Sequence, residues 1–321
     1  MNPPVVAATV AAAESPSGRL IWVILIGFAV LIAGLLAGYR AWRRKETALK
    51  NLPPDAPLAR LFAIPAASPI AVGTTVGLLL LAILSSRVVA GDRYYTPSAA
   101  AWMAIGIICG ILVLLFGKTF GTMASLLVQL PTDRPPTAKE AASVKVPGRG
   151  FGIFIELLAA LIAVWAGVRF NVLSLGSEHT YVLGGWTIPL TVLWIFAATN
   201  IVKLLDGLQG AANVLLLLAG ISIHYFTFGV PEYFLNALSV IIIAAAIASL
   251  RFNFYPARLA LTGPGIALAG FLFAILTVLA RQKTVTALLL IFPMIVVIIL
   301  VGGAMLGMLE RQMAPENDEK K

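Results

Sequence analysis

Asn200-Ile-Val-Lys-Leu-Leu-Asp-Gly-Leu-Gln-Gly210 is a polar, glycine-marked stretch set between long apolar runs, and Arg251-Phe-Asn-Phe-Tyr-Pro-Ala-Arg258 is a second. Crossing a bilayer requires neither. In the first stretch Asn200, Lys203 and Asp206 recur at one-turn spacing, which puts three polar groups on one helix face. A turn that merely ends a helix needs Gly or Pro but not that polar face. Both stretches therefore read as candidate sites at the ends of membrane helices.

The flanking composition sets the fold class. The chain of 321 residues is 60% hydrophobic and 12% charged, against about 25% charged in soluble domains. Apolar runs of about 17 to 25 residues read as transmembrane helices. Nine are expected: Leu20 to Tyr39, Ile70 to Ser86, Ser98 to Gly117, Phe151 to Val168, Tyr181 to Val202, Ala211 to Phe228, Phe234 to Leu250, Gly263 to Ala280 and Thr284 to Leu309. The ninth carries Pro293 and Gly302-Gly303 and should be kinked or tilted. The reading is all-α: one polytopic integral membrane bundle of about nine helices, residues 20–309, without an internal repeat.

Loop charge orients the bundle. With the N-terminus outside, 17 of the 23 Lys and Arg residues fall on the inner side and 6 outside. The expected topology is N-terminus out and C-terminus in, with a short external tail (1–19), inner loops 40–69, 117–150, 203–210 and 251–263, and a charged cytoplasmic tail (310–321). The net charge of +9 then reports orientation and anionic lipid, and no basic domain face invites nucleic acid. One cysteine, Cys109, lies within a span, so a disulfide or cysteine metal site is excluded.

Within loop 117–150, Met123, Leu126, Leu127 and Leu130 fall on one helical face, which predicts a short helix lying in the interface; residues 131–146 read as a solvated linker. Glu156 is read as a first-turn acid favoured by the helix dipole, with a carboxylate facing Asp206 as the alternative. His224 reads as a hydrogen-bonded structural residue far from the inner loops, and His179 as an outer-loop residue. Trp22, Trp102, Trp186 and Tyr94-Tyr95 sit near span ends, as aromatic belts do.

The two inner stretches resemble motifs of the polyprenyl-phosphate sugar-1-phosphate transferases (glycosyltransferase family 4). Asn200, Asp206, Gly207 and Gly210 match Asn-x-x-Asn-x-x-Asp-Gly-x-Asp-Gly, with Lys203 for the second Asn and Gln209 for the second Asp. Phe252, Asn253, Pro256, Ala257, Arg258 and Gly265 match the later Phe-Asn-x-x-Pro-Ala-Arg-x-x-Met-Gly-Asp-x-Gly-Ser, with Gly263 at the metal-binding Asp and Ile266 at the Ser. Gly117, Lys118 and Gly121 stand where a pair of aspartates is expected, and the His-containing inner loop and final span are expected to be missing after Leu309.

The resemblance implies three segments converging at a cytoplasm-facing site in a prokaryotic plasma membrane. It implies polyprenyl phosphate and a nucleotide sugar as partners, Asp206 as the catalytic carboxylate, and Asn200, Lys203, Gly207, Asn253, Arg258 and Lys118 as substrate-binding residues; an oligomer is compatible with it. Mg²⁺ is implied too, yet the chain has five aspartates and only Asp206 lies on a motif. An ammonium about 5 Å from Mg²⁺ repels it by roughly 6 to 7 kcal/mol at an effective dielectric near 20. No metal ligand is therefore assigned. Lys118, Lys203, Arg251 and Arg258 around Asp206 make a pocket of +3 by count, which favours phosphate oxygens directly; Asp at 118 and 263 should begin to rebuild a metal site. The expected function is a family member with an impaired metal site, binding lipid phosphate without catalysis. The alternatives are an active divergent transferase and an unrelated transporter.

Overall fold

The computed structural model describes residues 16–49, 63–129, 149–170, 172–175, 179–182, 184–204, 210–253, 259, 261 and 263–280. Eight long helices follow in chain order: α1 (Pro16–Leu49), α2 (Ala63–Ile83), α3 (Pro97–Gln129), α4 (Arg149–Trp165), α5 (Thr187–Lys203), α6 (Ala211–Thr227), α7 (Tyr233–Asn253) and α8 (Pro264–Leu279). Among the described residues, four segments are long and apolar enough to cross a membrane: Arg19–Arg43, Pro97–Gly117, Gly184–Lys203 and Tyr233–Asn253. Pro69–Ile83, Gly150–Trp165, Ala211–Thr227 and Pro264–Leu279 are shorter apolar helices. The expected ninth span and the linker 131–146 lie outside the described residues.

Helix α8 is the centre. Every residue from Gly265 to Leu279 is buried, so it is apolar on all sides, as a core helix must be. It packs on α5, α2, α6, α3 and α7. Around it α1 lies on α2 and α7, α7 on α6, α3 on α2 and α4, and α4 on α5. These helices turn an apolar face outward, including Ile24, Phe28, Leu36, Leu112, Leu161, Leu193 and Leu218, and lipid is the solvent such a face requires.

Small residues set the closest approaches, as expected where van der Waals packing holds membrane helices together. A Cβ on Gly270 of α8 would lie 2.8 Å from the Cα and carbonyl oxygen of Thr199 on α5. On the same pair of helices Trp194 Nε1 donates to Thr277 Oγ1 at 3.1 Å. Between α6 and α7, Asn213 Nδ2 donates to Ser249 Oγ at 3.0 Å.

One end of the bundle is gathered by Asp92. Its Oδ1 accepts from the Tyr94 and Tyr95 amides at 2.8 and 3.0 Å, and its Oδ2 from the Phe234 amide at 2.8 Å. A carboxylate thus satisfies a first-turn donor of α7 from a distant loop, where the helix dipole favours it. The Arg19 guanidinium lies 4.8 Å from the Tyr233 ring centroid, which adds the start of α1 to the knot. Trp102, Trp165 and Trp186 are exposed at this end, in keeping with an aromatic belt.

Three expectations are corrected. The segment 117–129 is no separate interfacial helix: α3 runs unbroken to Gln129, because Gly117 and Gly121 each cost a helix only about 1 kcal/mol. The fifth span starts at Thr187, since Tyr181 lies in a hairpin of β1 (Val172–Leu175) paired antiparallel with β2 (His179–Val182). At His224, expected to be a hydrogen-bonded structural residue, buried Nδ1 has no partner, and the ring meets Phe228 at 5.8 Å. Glu156 is no first-turn acid, because α4 begins at Arg149 and has none.

Gly270→Ala should destabilise the bundle by about 1–3 kcal/mol through overpacking against backbone that cannot yield. Gly150→Ala, with nothing within 4 Å of the added carbon, is the control. Thermal unfolding in detergent should show a lowered midpoint for the first variant and an unchanged or raised one for the second.

Candidate functional site

The described polar residues of the two motif stretches, Asn200, Lys203 and Asn253, lie at the helix ends opposite Asp92. Helix α5 reaches this end at Lys203, its last residue, where the negative pole of the helix favours an ammonium. One turn earlier, Asn200 Nδ2 donates to the Phe196 carbonyl at 2.8 Å and more weakly to Glu156 Oε2 at 3.4 Å. With the amide nitrogen so committed, Asn200 Oδ1 faces Lys203 and accepts from Nζ at 3.3 Å. Lys203 Nζ also forms an ion pair with Glu156 Oε2. The Glu156 side chain is 4% exposed and that of Lys203 is 26%, so the carboxylate lies behind and the ammonium in front.

Glu156 is brought to Lys203 by helix packing. Helix α4 lies between α3 and α5, and a Cβ on Gly117 of α3 would meet Ile155 Cδ1 at 2.7 Å. The stretch Gly117 to Gly121, in which Lys118 is a helical residue of α3, therefore starts beside the residue that precedes Glu156. Two of the three segments expected to converge thus meet through α4.

The third segment joins through α6 and α7. Asn213, three residues beyond Gly210, bonds to Ser249, two before Arg251. Gly210 caps α6 with φ 84°, a left-handed conformation that glycine adopts without strain, which accounts for that motif glycine. At the end of α7, buried Asn253 Oδ1 accepts from the Leu261 amide at 3.0 Å, and Phe252 O from the Leu259 amide at 3.0 Å. Phe252 and Leu259 cluster with Ala41 of α1. The Phe-Asn pair of this motif thus shapes the chain between α7 and α8, and the Asn253 oxygen is engaged in doing so. Asp206, Gly207 and Arg258 lie outside the described residues.

Sequence reasoning missed Asn213, which is fully buried with Oδ1 lacking a partner; an asparagine one turn into an apolar span was the available signal. It also counted Lys203 as an uncompensated cation. Its pairing with Glu156 offsets that charge, so the count of +3 is corrected downward by one.

For the Mg²⁺ implied by the resemblance, the described residues supply no set of ligands, and Asp206 lies outside them. Among the described residues no three His, Cys, Asp or Glu side chains group as metal ligands, and the buried carboxylate at this end carries an ammonium. Gly263, at the position of the expected metal-binding Asp, has φ 56° and ψ −109°. That is a turn conformation in which glycine is strongly favoured, and a side chain there costs about 1–3 kcal/mol. Asp at 263 is thus opposed by the backbone, contrary to the expectation that it would help rebuild a metal site.

Residues 150–281 match the model described as Glycosyl transferase family 4, the family that the two motifs resemble. Over 143 residues the chain is 31% identical to a Bacillus subtilis (strain 168) protein named "Probable undecaprenyl-phosphate N-acetylglucosaminyl 1-phosphate transferase", covering 44% of this chain and 40% of that one. It is 30% identical over 163 residues to the phospho-N-acetylmuramoyl-pentapeptide-transferase of Clostridium novyi (strain NT), covering 48% and 45%. The protein of that name from Acetivibrio thermocellus is 28% identical over 130 residues, covering 40% and 36%. The chain spans less than half the length of these curated relatives.

The burial asymmetry of the ion pair predicts an asymmetry in stability. Lys203→Met leaves a buried carboxylate without its cation and should cost about 3–5 kcal/mol, whereas Glu156→Gln, which frees a partly exposed ammonium, should cost less. The double variant Glu156→Gln/Lys203→Met should be more stable than Lys203→Met alone. Thermal unfolding of the three variants in nanodiscs measures the order.

Proposed function

We propose that this chain serves, as the family matched by residues 150–281 suggests, as a polyprenyl-phosphate-binding membrane protein. It takes the phosphate of a lipid carrier, and that of a nucleotide sugar, at the Lys203 end of the bundle. Nine spans with the N-terminus outside and the C-terminus inside put this end at the cytoplasmic face, where a water-soluble nucleotide and a membrane-held phosphate can both arrive. The 17 to 6 split of basic residues supports that orientation.

The observation that carries the reading is the ion pair of buried Glu156 with Lys203, capped by Asn200, at the end of the helix that precedes Asp206-Gly207 in the sequence. It leaves a partly exposed ammonium at the last residue of α5. Lysine binds phosphate as a point charge, while Gly210 and Asn253 hold the flanking backbone. In this reading Asp206 orients the acceptor phosphate, and Asn200, Lys203, Gly207, Asn253, Arg258 and Lys118 line the phosphate and nucleotide site. The metal site of the family's kind is impaired, which favours binding without transfer.

The names of the relatives support a second reading: an active transferase moving a sugar-1-phosphate onto the lipid, with Asp206 as base or orienting carboxylate. Release of uridine monophosphate from a uridine diphosphate sugar and polyprenyl phosphate separates the two. The expected result is no release above that of Asp206→Asn. Release that Asp206→Asn reduces by about a hundredfold or more, the usual scale of a lost acid–base group, makes the protein an enzyme.

A further inference from the structure

We propose that the Lys203 ammonium is the resident cation of this site, positioned by Glu156, and that it receives the oxygens of a phosphate ester without a divalent ion. The inference rests on the reading above that this end of the bundle takes phosphates; it adds which group meets the phosphate and what holds that group.

Two hard oxygens converge on Nζ: Glu156 Oε2 by ion pairing and Asn200 Oδ1 at 3.3 Å. Carboxylate and amide oxygens are the donors a hard divalent cation takes. Here a tethered ammonium occupies both. The arrangement is directional, because the carboxylate is buried and the lysine side chain is partly exposed. An anion arriving from solvent therefore meets the more exposed ammonium before the buried carboxylate, and hydrogen bonding to a charged donor strengthens the contact. Asn200 is fixed in turn by its bond to the Phe196 carbonyl, so its oxygen stays on the ammonium. The positive pole is thus built into α5 and α4, and the positive-φ backbone at Gly263 favours glycine over a carboxylate that would recruit a second cation.

Glu156 is accordingly a positioning residue. A merely structural ion pair between α4 and α5 would produce the same stability pattern, so the test reads ligand binding. Full-length protein in phosphatidylcholine nanodiscs is titrated with uridine diphosphate by calorimetry and, separately, loaded with undecaprenyl phosphate and followed by thermal shift. Each arm is run in EDTA and in Mg²⁺. The arm that responds identifies a nucleotide or a lipid as the source of the phosphate.

The expected result is equal binding in EDTA and Mg²⁺, and a loss of about tenfold or more in Lys203→Met. Lys203→Arg should retain most of the affinity. Glu156→Gln should weaken binding although it removes a negative charge, an effect opposite to that of simple electrostatics. The double variant Glu156→Gln/Lys203→Met removes the pair as a unit and should remain folded yet stay weak. Binding lost in EDTA, or wild-type affinity in the folded double variant, overturns this inference and leaves the phosphate-binding reading in place. Binding of neither probe to the wild-type protein overturns both.

Discussion

The contact of α8 with α5 governs the rest of the bundle. Helix α8 has no lipid-facing side, so its neighbours must close around it, and α5 does so at backbone distance where Gly270 meets Thr199. Thr199 immediately precedes Asn200. The depth at which α5 seats against α8 therefore sets where Asn200 and Lys203 emerge at the end of the helix. With α4 packed on α5, the same contact sets whether Glu156 can reach Lys203. A packing constraint in the apolar middle thus decides the electrostatics of the end.

Charge at that end is organised within the protein. A carboxylate as buried as Glu156 is costly without a partner, and the partner supplied is an ammonium on the neighbouring helix. Asn200 supports the ammonium from one side, and its own nitrogen is satisfied by Phe196. Each polar atom in this chain of contacts has a direction, which is what makes a polar cluster specify a geometry in surroundings of low dielectric. The Asp92 knot at the opposite end applies the same logic to backbone donors, with one carboxylate accepting three amides.

Several residues that carry the family resemblance turn out to shape backbone. Gly210 has positive φ at the start of α6, Gly263 at the start of α8, and Asn253 bridges to Leu261. Phe252 is buried with Ala41 and Leu259. Motif glycines and the Phe-Asn pair can therefore persist for their geometry while acidic positions are replaced. Gly263 ties the two together, since the conformation that opens α8 is the one that disfavours an aspartate.

Apolar run length is a local property, and it located eight helices, although α1 runs on past Tyr39 to Leu49, α2 begins at Ala63 before Ile70, α3 runs on past Gly117 to Gln129, and α5 begins after Tyr181. Glycine and proline marked the turns for the same local reason, and the polar face Asn200–Lys203 was visible at helical spacing. What local pattern left undecided is which helix lies in the middle: α8 is the most apolar, but a lipid-facing span is apolar too, and only mutual packing excludes lipid from α8. Nor could it pair Glu156 with Lys203: the two lie on different helices, and a dipole-favoured acid and a paired acid have the same sequence appearance until the helix start is known. The continuation of α3 to Gln129 was missed because glycine lowers helix stability only slightly, and the hairpin at Val172–Val182 because two four-residue strands need each other to form. Sequence alone thus determined the membrane helices and the residues available to a site, through hydrophobicity and backbone preference. The tertiary structure decided the central helix and the partner of each charge, because burial and Coulomb energy depend on distances that exist only once the helices pack.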